Sequence, residues 1–501
     1  MATLNRSGIA WIANYKNPCI PNLPQAGATA TGFADTLGAD KAFKDLVNDN
    51  VVEERFERKN GQQADIEAAH IFYYVGHGSG YGLLLAARNQ GDDGVVSSDE
   101  LRAGHNLAYA VFDSCSLLDP GTLQTWDAAF DGLHYMLGFA QQVFQDAARG
   151  SRFAGFLNSG CTIPDAWRRA AIETVASSTV RWGYLREIHD PGAGPPPTDE
   201  TWSNDQPLAK SPLTPFVFIS HIEEGKTAAL APVSARPKRV KLFRTPAAAT
   251  TEEELQALAA KFGLSTSDVR SGPGWRELRN DVSTLYLYDQ VGSFWWSRTP
   301  TPLTELFHAR EPALLRAVAE DKARAYLDQA ELNDPRLVSK PLSYTVETQR
   351  EHRPDGHGRL LTRTVAVHVN YGFALDDLPV LGPGAKLRVS FEGLEVSEVF
   401  RFWREPVEGG LVKIDISPED AEERLRASRE FAMLPHEAIT LIGKPRLGYY
   451  SRSISLEQAA LVPVYEVRGL VSTRALGRFE FTRFVNAAPT SLEFELPELV
   501  H

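Results

Sequence analysis

Two short segments of the chain carry residues whose types and spacing could support nucleophilic chemistry. His77 follows the apolar run His70–Val75, and Cys115 follows the apolar run Ala108–Phe112. A thiol is a poor nucleophile until it is deprotonated, and a nearby imidazole both stabilises the thiolate and supplies a general acid. The two residues together therefore indicate a candidate Cys–His pair for thiol-dependent hydrolysis.

The glycines around His77 fit this interpretation better than a nucleotide-binding one. Gly76, Gly78 and Gly80 leave the backbone free of side chains, so that a peptide carbonyl could approach it closely. Their spacing does not match the dinucleotide-binding fingerprint, and the chain contains neither a phosphate-binding loop nor a serine nucleophile elbow. An alternative stays open, in which Cys115 is a buried strand-end cysteine and His77 is a polar loop residue.

The elements that must position this pair alternate between strand and helix. Strands are predicted at Ile9–Ala13, His70–Val75, Ala108–Phe112, Tyr135–Ala140 and Phe216–Ser220, and helices at Asp40–Asn48, Gly138–Ala148 and Pro164–Val175. This alternation is typical of an α/β fold with a mainly parallel sheet and flanking helices. Ligands bind at the carboxyl ends of the strands in such sheets, and both His77 and Cys115 are predicted at that edge.

The second half of the chain has a different pattern, in which a helix is followed by strands three times. Capping signals at Thr251–Glu254 and Ser417–Asp420 predict helix starts, and the alternation in Thr364–Val369 predicts an antiparallel sheet with one covered face. The resulting division is an α/β domain at 1–230, a basic linker at 231–250, an α+β module at 251–300, and further α+β modules at 301–405 and 406–501. The Pro-rich segment Asp190–Pro215 is predicted to be a surface lid or a cleavage site.

The N-terminal half resembles the caspase-like (clan CD) cysteine peptidases, most closely an uncharacterised bacterial family of them. The resemblance is carried by a strand ending in Gly-His-Gly and, 38 residues after that His, a strand ending in Asp-Ser-Cys. The segments Trp126–Phe139, Phe153–Gly160 and Pro164–Ala170 resemble the strand, loop and helix that follow the nucleophile in bacterial members. The similarity extends over roughly residues 5–225 and implies a caspase-like fold and a cysteine endopeptidase.

The resemblance also implies a role for each residue of the candidate site. Cys115 would be the nucleophile and His77 the general acid and base, while the backbone N–H groups of Gly78 and Cys115 would form the oxyanion hole. Gly76, Asp113 and Ser114 would support the two turns. No metal and no cofactor is implied, and the substrate would be a peptide or a protein. The alternative is a non-catalytic caspase-like protein that acts through interactions.

The C-terminal half resembles PepSY-type domains. Asn370–Lys386, Leu447–Tyr450 and Gln458–Tyr465 carry this resemblance, and they assign PepSY-like character to the modules at 301–405 and 406–501. The family implies regulation of a peptidase, so the C-terminal half is expected to control access to the candidate site within the same chain. On that hypothesis, removing the residues after about 245 would raise the reactivity of Cys115.

Composition and charge exclude several other functions. The 501 residues contain 52 Lys and Arg against 64 Asp and Glu, which gives a net charge of −12. A nucleic-acid-binding surface is normally basic, so nucleic acid is not an expected partner. No apolar run is long enough to span a membrane, and no secretory signal precedes the first strand. We therefore expect a cytoplasmic protein, or a secreted one if a signal peptide has been removed.

Overall fold

The fold was analysed in a computed structural model of the full chain. The structure describes residues 6–17, 20–57, 64–86, 93–101, 103–104, 106–119, 121–131, 133–141, 143, 145–175, 181–186, 202, 218–224, 237–246, 250–272, 274–288, 293–298, 314–352, 360–428, 430–432, 434–473 and 477–489. Cys19 and nearly all of the Pro-rich segment Asp190–Pro215 lie outside these residues. Within them the protein is a mixed α/β structure that consists mostly of strands arranged in several sheets.

The N-terminal part contains twelve described strands. These are β1 Arg6–Trp11, β2 Asp40–Lys41, β3 Leu46–Val47, β4 Ile71–Val75, β5 Gly78–Ser79, β6 Gly82–Leu84, β7 Val95–Ser97, β8 Ala103–Gly104, β9 Tyr109–Asp113, β10 Phe130–Asp131, β11 Tyr135–Phe139 and β12 Trp182–Arg186. Seven of them form one sheet in the order β12-β11-β9-β4-β1-β2, with β3 also paired to β1. Every pairing in this sheet is parallel except that of β11 with β12.

The central strands are mostly apolar, with Asp113 at the end of β9 as an exception, because both faces of the sheet are covered. Strands β4, β9 and β11 are buried at every position, as expected for parallel strands between two layers. Helices α1 Ala26–Leu37, α2 Arg149–Asn158 and α3 Ile163–Thr174 pack on one face. The other face is covered by loops and short elements that contribute Phe56, Leu83 and Trp126 to a second apolar cluster.

The remaining strands form two large sheets. They are β13 Phe218–Glu224, β14 Arg239–Arg244, β15 Val269–Gly272, β16 Trp275–Arg279, β17 Ser283–Tyr288, β18 Ser293–Arg298, β19 Ser343–His352, β20 Leu360–Tyr371, β21 Phe373–Leu375, β22 Leu378–Leu381, β23 Lys386–Glu392, β24 Glu395–Phe402, β25 Val407–Lys413, β26 Ile439–Leu441, β27 Arg446–Tyr450, β28 Ala460–Thr473 and β29 Gly477–Asn486. One sheet has nine strands, in the order β13-β19-β20-β23-β24-β18-β17-β16-β15. The other has eight, in the order β21-β22-β27-β28-β14-β25, with β26 and β29 also paired to β28.

Three further helices accompany these sheets: α4 Glu252–Lys261, α5 Arg316–Gln329 and α6 Pro418–Ala427. The predicted caps are present, since the side chain of Thr251 accepts from Glu254 N at 3.2 Å and that of Ser417 accepts from Asp420 N at 3.0 Å. Such caps satisfy backbone donors that have no partner inside the helix.

The two halves of the chain pack tightly against each other. Helix α3 lies against the nine-stranded sheet, where Arg168 Nη2 is 2.5 Å from Glu398 Oε2 and Tyr288 OH donates to Glu173. Lys386 Nζ is buried and donates to the carbonyl oxygens of Ile172 and, at 2.9 Å, Val175. An amine at the C-terminal end of a helix can donate to carbonyls that lack intrahelical donors. The interface thus joins helix and sheet through buried charges.

Two strands join the C-terminal sheets although the sequence analysis assigned them elsewhere. The strand expected at Phe216–Ser220 occurs as β13, which lies beside β12 of the N-terminal sheet but, among the described residues, pairs with β19 of the nine-stranded sheet. Part of the expected basic linker is strand β14, which pairs with β25 and β28. Its apolar residues Val240, Leu242 and Phe243 are buried, so the apolar positions between the basic ones determine its structure. The domain boundaries themselves stay a prediction.

Two predicted helices are wrong. Residues Asp40–Asn48 contain the short strands β2 and β3, and the range Gly138–Ala148 covers the end of β11 and a loop that precedes α2. Conversely, α1 was not predicted because its sequence, Ala-Gly-Ala-Thr-Ala-Thr-Gly-Phe, contains weak helix formers and its N-cap Gln25 makes no capping hydrogen bond. Burial of residues such as Phe33 against the sheet stabilises it instead.

Candidate functional site

The candidate site lies at the carboxyl edge of the N-terminal sheet. Strands β4 and β9 are parallel neighbours, and Val75 is paired in register with Asp113. His77 lies two residues beyond the first of these positions and Cys115 two residues beyond the second. Neighbouring strands are about 4.8 Å apart, so equal offsets from a registered pair place the imidazole-bearing and thiol-bearing turns side by side.

Gly78 brings the two turns into direct contact. A Cβ placed on Gly78 would lie 2.9 Å from Ser114 Oγ and 3.2 Å from the carbonyl oxygen of Cys115. The backbone of the His77 turn therefore packs on the backbone of the Cys115 turn, and only glycine leaves room for that approach. Gly76 has a related role, because a Cβ there would collide with the hydroxyl group of Tyr74.

The thiol of Cys115 is partly exposed and bonds to the loop after β11. Sγ donates to the carbonyl oxygen of Val143 at 3.7 Å and accepts from its N–H at 3.5 Å. Burial raises the pKa of the thiol, while the Val143 bond and the charge of Arg483 oppose this effect. The thiol is therefore protonated near neutral pH in this conformation.

The imidazole of His77 bonds to the loop after β1. Its Nε2 donates to the carbonyl oxygen of Pro21 at 2.9 Å, its backbone N–H donates to Tyr15 OH at 2.7 Å, and its ring lies 4.9 Å from the Tyr15 ring. Burial lowers the pKa of His77 to about 4, although the Pro21 carbonyl and the charge of Glu430 oppose this. The described structure contains no hydrogen bond between His77 and Cys115.

Gly78 and Cys115 carry the two backbone N–H groups that were expected to form the oxyanion hole. Leu84 N–H donates to His77 O at 3.0 Å, so the next pair of the β5–β6 hairpin, Gly78 with Leu83, is a non-hydrogen-bonded pair. The N–H of Gly78 then points away from β6. Among the described residues, no hydrogen bond occupies the N–H of Cys115. Both donors that the sequence singled out are available at the two touching turns.

The residue after Cys115 has an unusual backbone conformation. Ser116 has φ = 53°, which costs about 1 kcal/mol or more for a residue with a Cβ. Its N–H donates to Gln141 O at 2.9 Å. Strained turns of this kind occur preferentially at functional sites. Ser114, the residue before Cys115, is buried, and its Oγ has no hydrogen-bond partner in the described part of the chain.

Asp113 faces the interior and not the thiol. Its Oδ1 is 2.5 Å from Arg149 Nη1, and its Oδ2 accepts from Tyr73 OH at 3.0 Å. Arg149 is completely buried and also donates to Thr174 Oγ1 at 2.8 Å. The expected supporting role of Asp113 thus takes the form of a buried ion pair that fixes the end of β9. Sequence reasoning missed Arg149, since an arginine at a helix start carries no signal of burial.

Two charges from the C-terminal half act on the candidate pair. Arg483 on β29 forms an ion pair with Glu430, with its Nε 2.7 Å from Glu430 Oε2. The positive charge of Arg483 lowers the pKa of both Cys115 and His77, and the negative charge of Glu430 raises that of His77. The sequence analysis did not identify this pair, because it lies more than 300 residues away along the chain.

One group of described side chains could in principle hold a metal ion. Glu53, Glu57 and Glu100 bring carboxylate oxygens within 4.8 Å of one another. Glu100 Oε2 already accepts from Ser97 N–H at 2.7 Å and from Ser97 Oγ at 2.5 Å. A cluster of acids alone does not define a metal site, and we assign none here.

Other titratable and aromatic side chains lie away from this edge. His134 is half-buried, and its ring lies 6.4 Å from that of Tyr109. Tyr288 and Trp295 are buried against the N-terminal helices. Cys161 is partly exposed and contacts Ser159 Oγ at 3.6 Å.

Comparison with known proteins gives little functional information. Residues 9–215 match the family model of a domain of unknown function, DUF6345. No curated protein matches the chain. Among solved structures, a crystal structure of an uncharacterized protein from Eubacterium rectale is 12% identical and has a TM-score of 0.30, covering 52% of this chain and 88% of that one. A TM-score this low carries no argument about fold or function. No described helix has the length and apolarity needed to cross a membrane.

Proposed function

We propose that the chain is a caspase-like cysteine endopeptidase that uses Cys115 as its nucleophile and His77 as its general acid and base. The observation that carries the proposal is the equal offset of these residues from the registered pair Val75 and Asp113, with Gly78 packed on the Cys115 turn. A mainly parallel sheet with this edge is also what the resemblance to the caspase-like peptidases implies.

At pH 7 the thiol of Cys115 and the imidazole of His77 are both uncharged before the reaction begins. Since burial raises the pKa of the thiol and lowers that of the imidazole, the protein holds a thiol beside a neutral His77 at pH 7. A neutral imidazole can accept the thiol proton as the reaction begins, which is the role of a general base. Proton transfer would thus accompany the attack of Cys115 on the substrate.

The proposed reaction is acyl transfer to the thiol followed by hydrolysis. His77 accepts the proton of Cys115 as Sγ bonds to the peptide carbonyl carbon, and the carbonyl π electrons move to the oxygen. That oxygen accepts hydrogen bonds from the N–H groups of Gly78 and Cys115. The C–N bond then breaks, and the amine leaves with the proton from His77. A water molecule, deprotonated by His77, cleaves the thioester and restores the thiol.

The reaction requires one conformational step. The described structure has no bond between the candidate pair, and the Nε2–H of His77 donates to the Pro21 carbonyl. To act as the base, His77 must release this bond and present an unprotonated nitrogen to the thiol, which is Nδ1 in this tautomer, or Nε2 once the proton has moved to Nδ1. Hydrogen bonds between reacting groups are often long or absent before a substrate binds. The acceptor lost in this step is a single backbone carbonyl.

The hydrogen bond from His77 Nε2 to the Pro21 carbonyl favours a second candidate function, that of a non-catalytic caspase-like protein that binds partners. In that case the Pro21 bond is permanent, and the imidazole and the thiol serve only to hold two loops. The two functions differ in one measurable property, since only in the peptidase does the reactivity of the Cys115 thiol depend on His77.

Selective alkylation tests the proposed function. Iodoacetamide at pH 7 to 8 should label Cys115 at least tenfold faster than Cys161, and His77→Ala should abolish the difference. The same variants should be assayed against a peptide library by mass spectrometry, with Cys115→Ala expected to be inactive. Cys161→Ala is the matched control, since it removes the other described thiol.

Two results would contradict the proposal. Equal labelling of Cys115 in wild type and His77→Ala would show that the imidazole does not activate the thiol. Peptide cleavage that survives Cys115→Ala would show that another group is the nucleophile. Equal labelling together with a lack of cleavage would favour the non-catalytic function.

Regulation by the C-terminal half is part of the same proposal. The charges of Arg483 and Glu430 act on the candidate pair, so this half has a physical route of influence. Deleting everything after residue 245 would also remove Lys386 and leave the carbonyl oxygens of Ile172 and Val175, at the end of helix α3, without this donor. Point variants at the 430–483 ion pair are therefore a better test of regulation than truncation.

A further inference from the structure

A short hairpin next to His77 presents an aromatic side chain to solvent. Strands β5 and β6 pair Gly78 with Leu83 and Ser79 with Gly82, which leaves Gly80 and Tyr81 as the turn. The side chain of Tyr81 is 74% exposed and is the most exposed aromatic side chain among the large hydrophobic ones described. A tyrosine at such a position contributes large apolar area with few rotatable bonds, which is typical of binding surfaces.

The hairpin is held on both sides, so Tyr81 is presented from a fixed support. On one side, a Cβ at Gly80 would lie 2.5 Å from Thr122 Oγ1 and 3.1 Å from Asp119 Cβ, in the turn that follows Cys115. On the other side, a Cβ at Gly82 would lie 2.3 Å from the carbonyl oxygen of Val96. The backbone on each side of Tyr81 thus packs without a gap against its neighbours.

The length of the chain limits the distance between Tyr81 and the thiol. Gly78 touches the Cys115 turn, and the three residues from Gly78 to Tyr81 span at most about 11 Å. An extended peptide advances about 3.3 Å per residue. A peptide that has its carbonyl carbon at Cys115 Sγ and runs toward the hairpin would therefore bring a side chain within about three residues of the attacked bond into reach of the Tyr81 ring.

We propose that Tyr81 forms one wall of a subsite for an apolar or aromatic side chain of an extended peptide, two or three residues from the attacked carbonyl. The inference rests on the proposed function only in placing the peptide at Cys115. It goes beyond that function by naming a specificity-determining residue and the substrate class that it selects.

Peptidyl chloromethyl ketones test this subsite. Capped tetrapeptides of alanine carrying one phenylalanine at each position in turn react with a thiol by forming an S–CH2 bond and releasing chloride. The rate constant for labelling Cys115 should be highest with the phenylalanine two or three residues from the reactive group. Tyr81→Ala should reduce that preference about fivefold to tenfold, whereas Tyr81→Phe should keep it.

Iodoacetamide, which carries no peptide, is the matched control and should label Cys115 at the same rate in all three proteins. A preference that is absent in wild type or unchanged in Tyr81→Ala would overturn the inference, as would an equal fall in the iodoacetamide rate. The proposed function fails separately, when iodoacetamide labels Cys115 no faster than Cys161. A Tyr81-dependent preference in that case would show a peptide-binding edge without an activated thiol.

Discussion

Asp113→Asn should strongly destabilise the N-terminal sheet, although the substitution changes no side-chain volume. The carboxylate lies 2.5 Å from the guanidinium of Arg149 and is nearly inaccessible, and Arg149 is completely buried. Asparagine can still accept a hydrogen bond from Tyr73, but it leaves the arginine without its counter-charge. The variant therefore isolates the charge of Asp113 from its shape.

The expected loss of unfolding free energy follows from burial. Removing one partner of a buried ion pair costs about 3–5 kcal/mol, since a buried charge remains uncompensated. The double variant Asp113→Asn/Arg149→Met removes that charge and should be less destabilised than Asp113→Asn alone. Replacing a whole buried pair is often close to neutral, so the order of the two variants is itself a prediction.

Urea unfolding followed by tryptophan fluorescence measures these differences, and a second Arg–Asp pair provides the control. Arg55 and Asp65 form an ion pair with side chains that are 45% and 41% exposed. Asp65→Asn should cost less than about 1 kcal/mol, because water screens an exposed pair. Equal losses in Asp113→Asn and Asp65→Asn would refute the reasoning, and so would a double variant less stable than Asp113→Asn.

Two further predictions concern the titration of the candidate site. Burial keeps the pKa of His77 at about 4 against 6.5 in the unfolded chain. As the pH is lowered, the unfolded chain therefore binds a proton at this residue at a higher pH than the folded protein does. Stability should then fall as the pH drops from about 6.5 to about 4, by up to about 3 kcal/mol. Urea unfolding at pH 7 and pH 4 should show that His77→Gln lessens this fall, and an undiminished fall would contradict the cause. Arg483→Gln removes a positive charge that lowers the pKa of Cys115, so iodoacetamide labelling at pH 8 should slow about twofold. Glu430→Gln should not slow it, and equal rates in all proteins would exclude electrostatic influence from the C-terminal half.

Local patterns in the sequence determined the central strands of the N-terminal sheet. The apolar run before His77 became β4, and the run before Cys115 became β9, because a strand that is covered on both faces must be apolar along its length. The alternating segment Thr364–Val369 lies within β20, which pairs antiparallel with both of its neighbours as predicted. The capping signals were equally local, and helix α6 begins where Ser417 and Pro418 indicate.

Pairing between distant segments could not be derived from such patterns. Strand β14 is flanked by prolines and carries several basic residues, and only its partners β25 and β28 make it part of a sheet. Strand β13 has the composition of a core strand, but composition does not specify a neighbour. Helix α1 forms because its apolar face packs on the sheet, which overrides the weak helix propensity of its residues.

In the candidate site, too, the sequence determined some features and only the tertiary structure determined the others. The sequence by itself indicated a thiol and an imidazole at the ends of two strands, because residue type and strand pattern are local properties. Only the tertiary structure decided that Val75 and Asp113 lie in register, that Asp113 turns inward to Arg149, and that Nε2 of His77 bonds to Pro21. Register, burial and hydrogen-bond partners depend on which segments contact one another in space. Those contacts are determined by the folded structure and not by spacing along the chain.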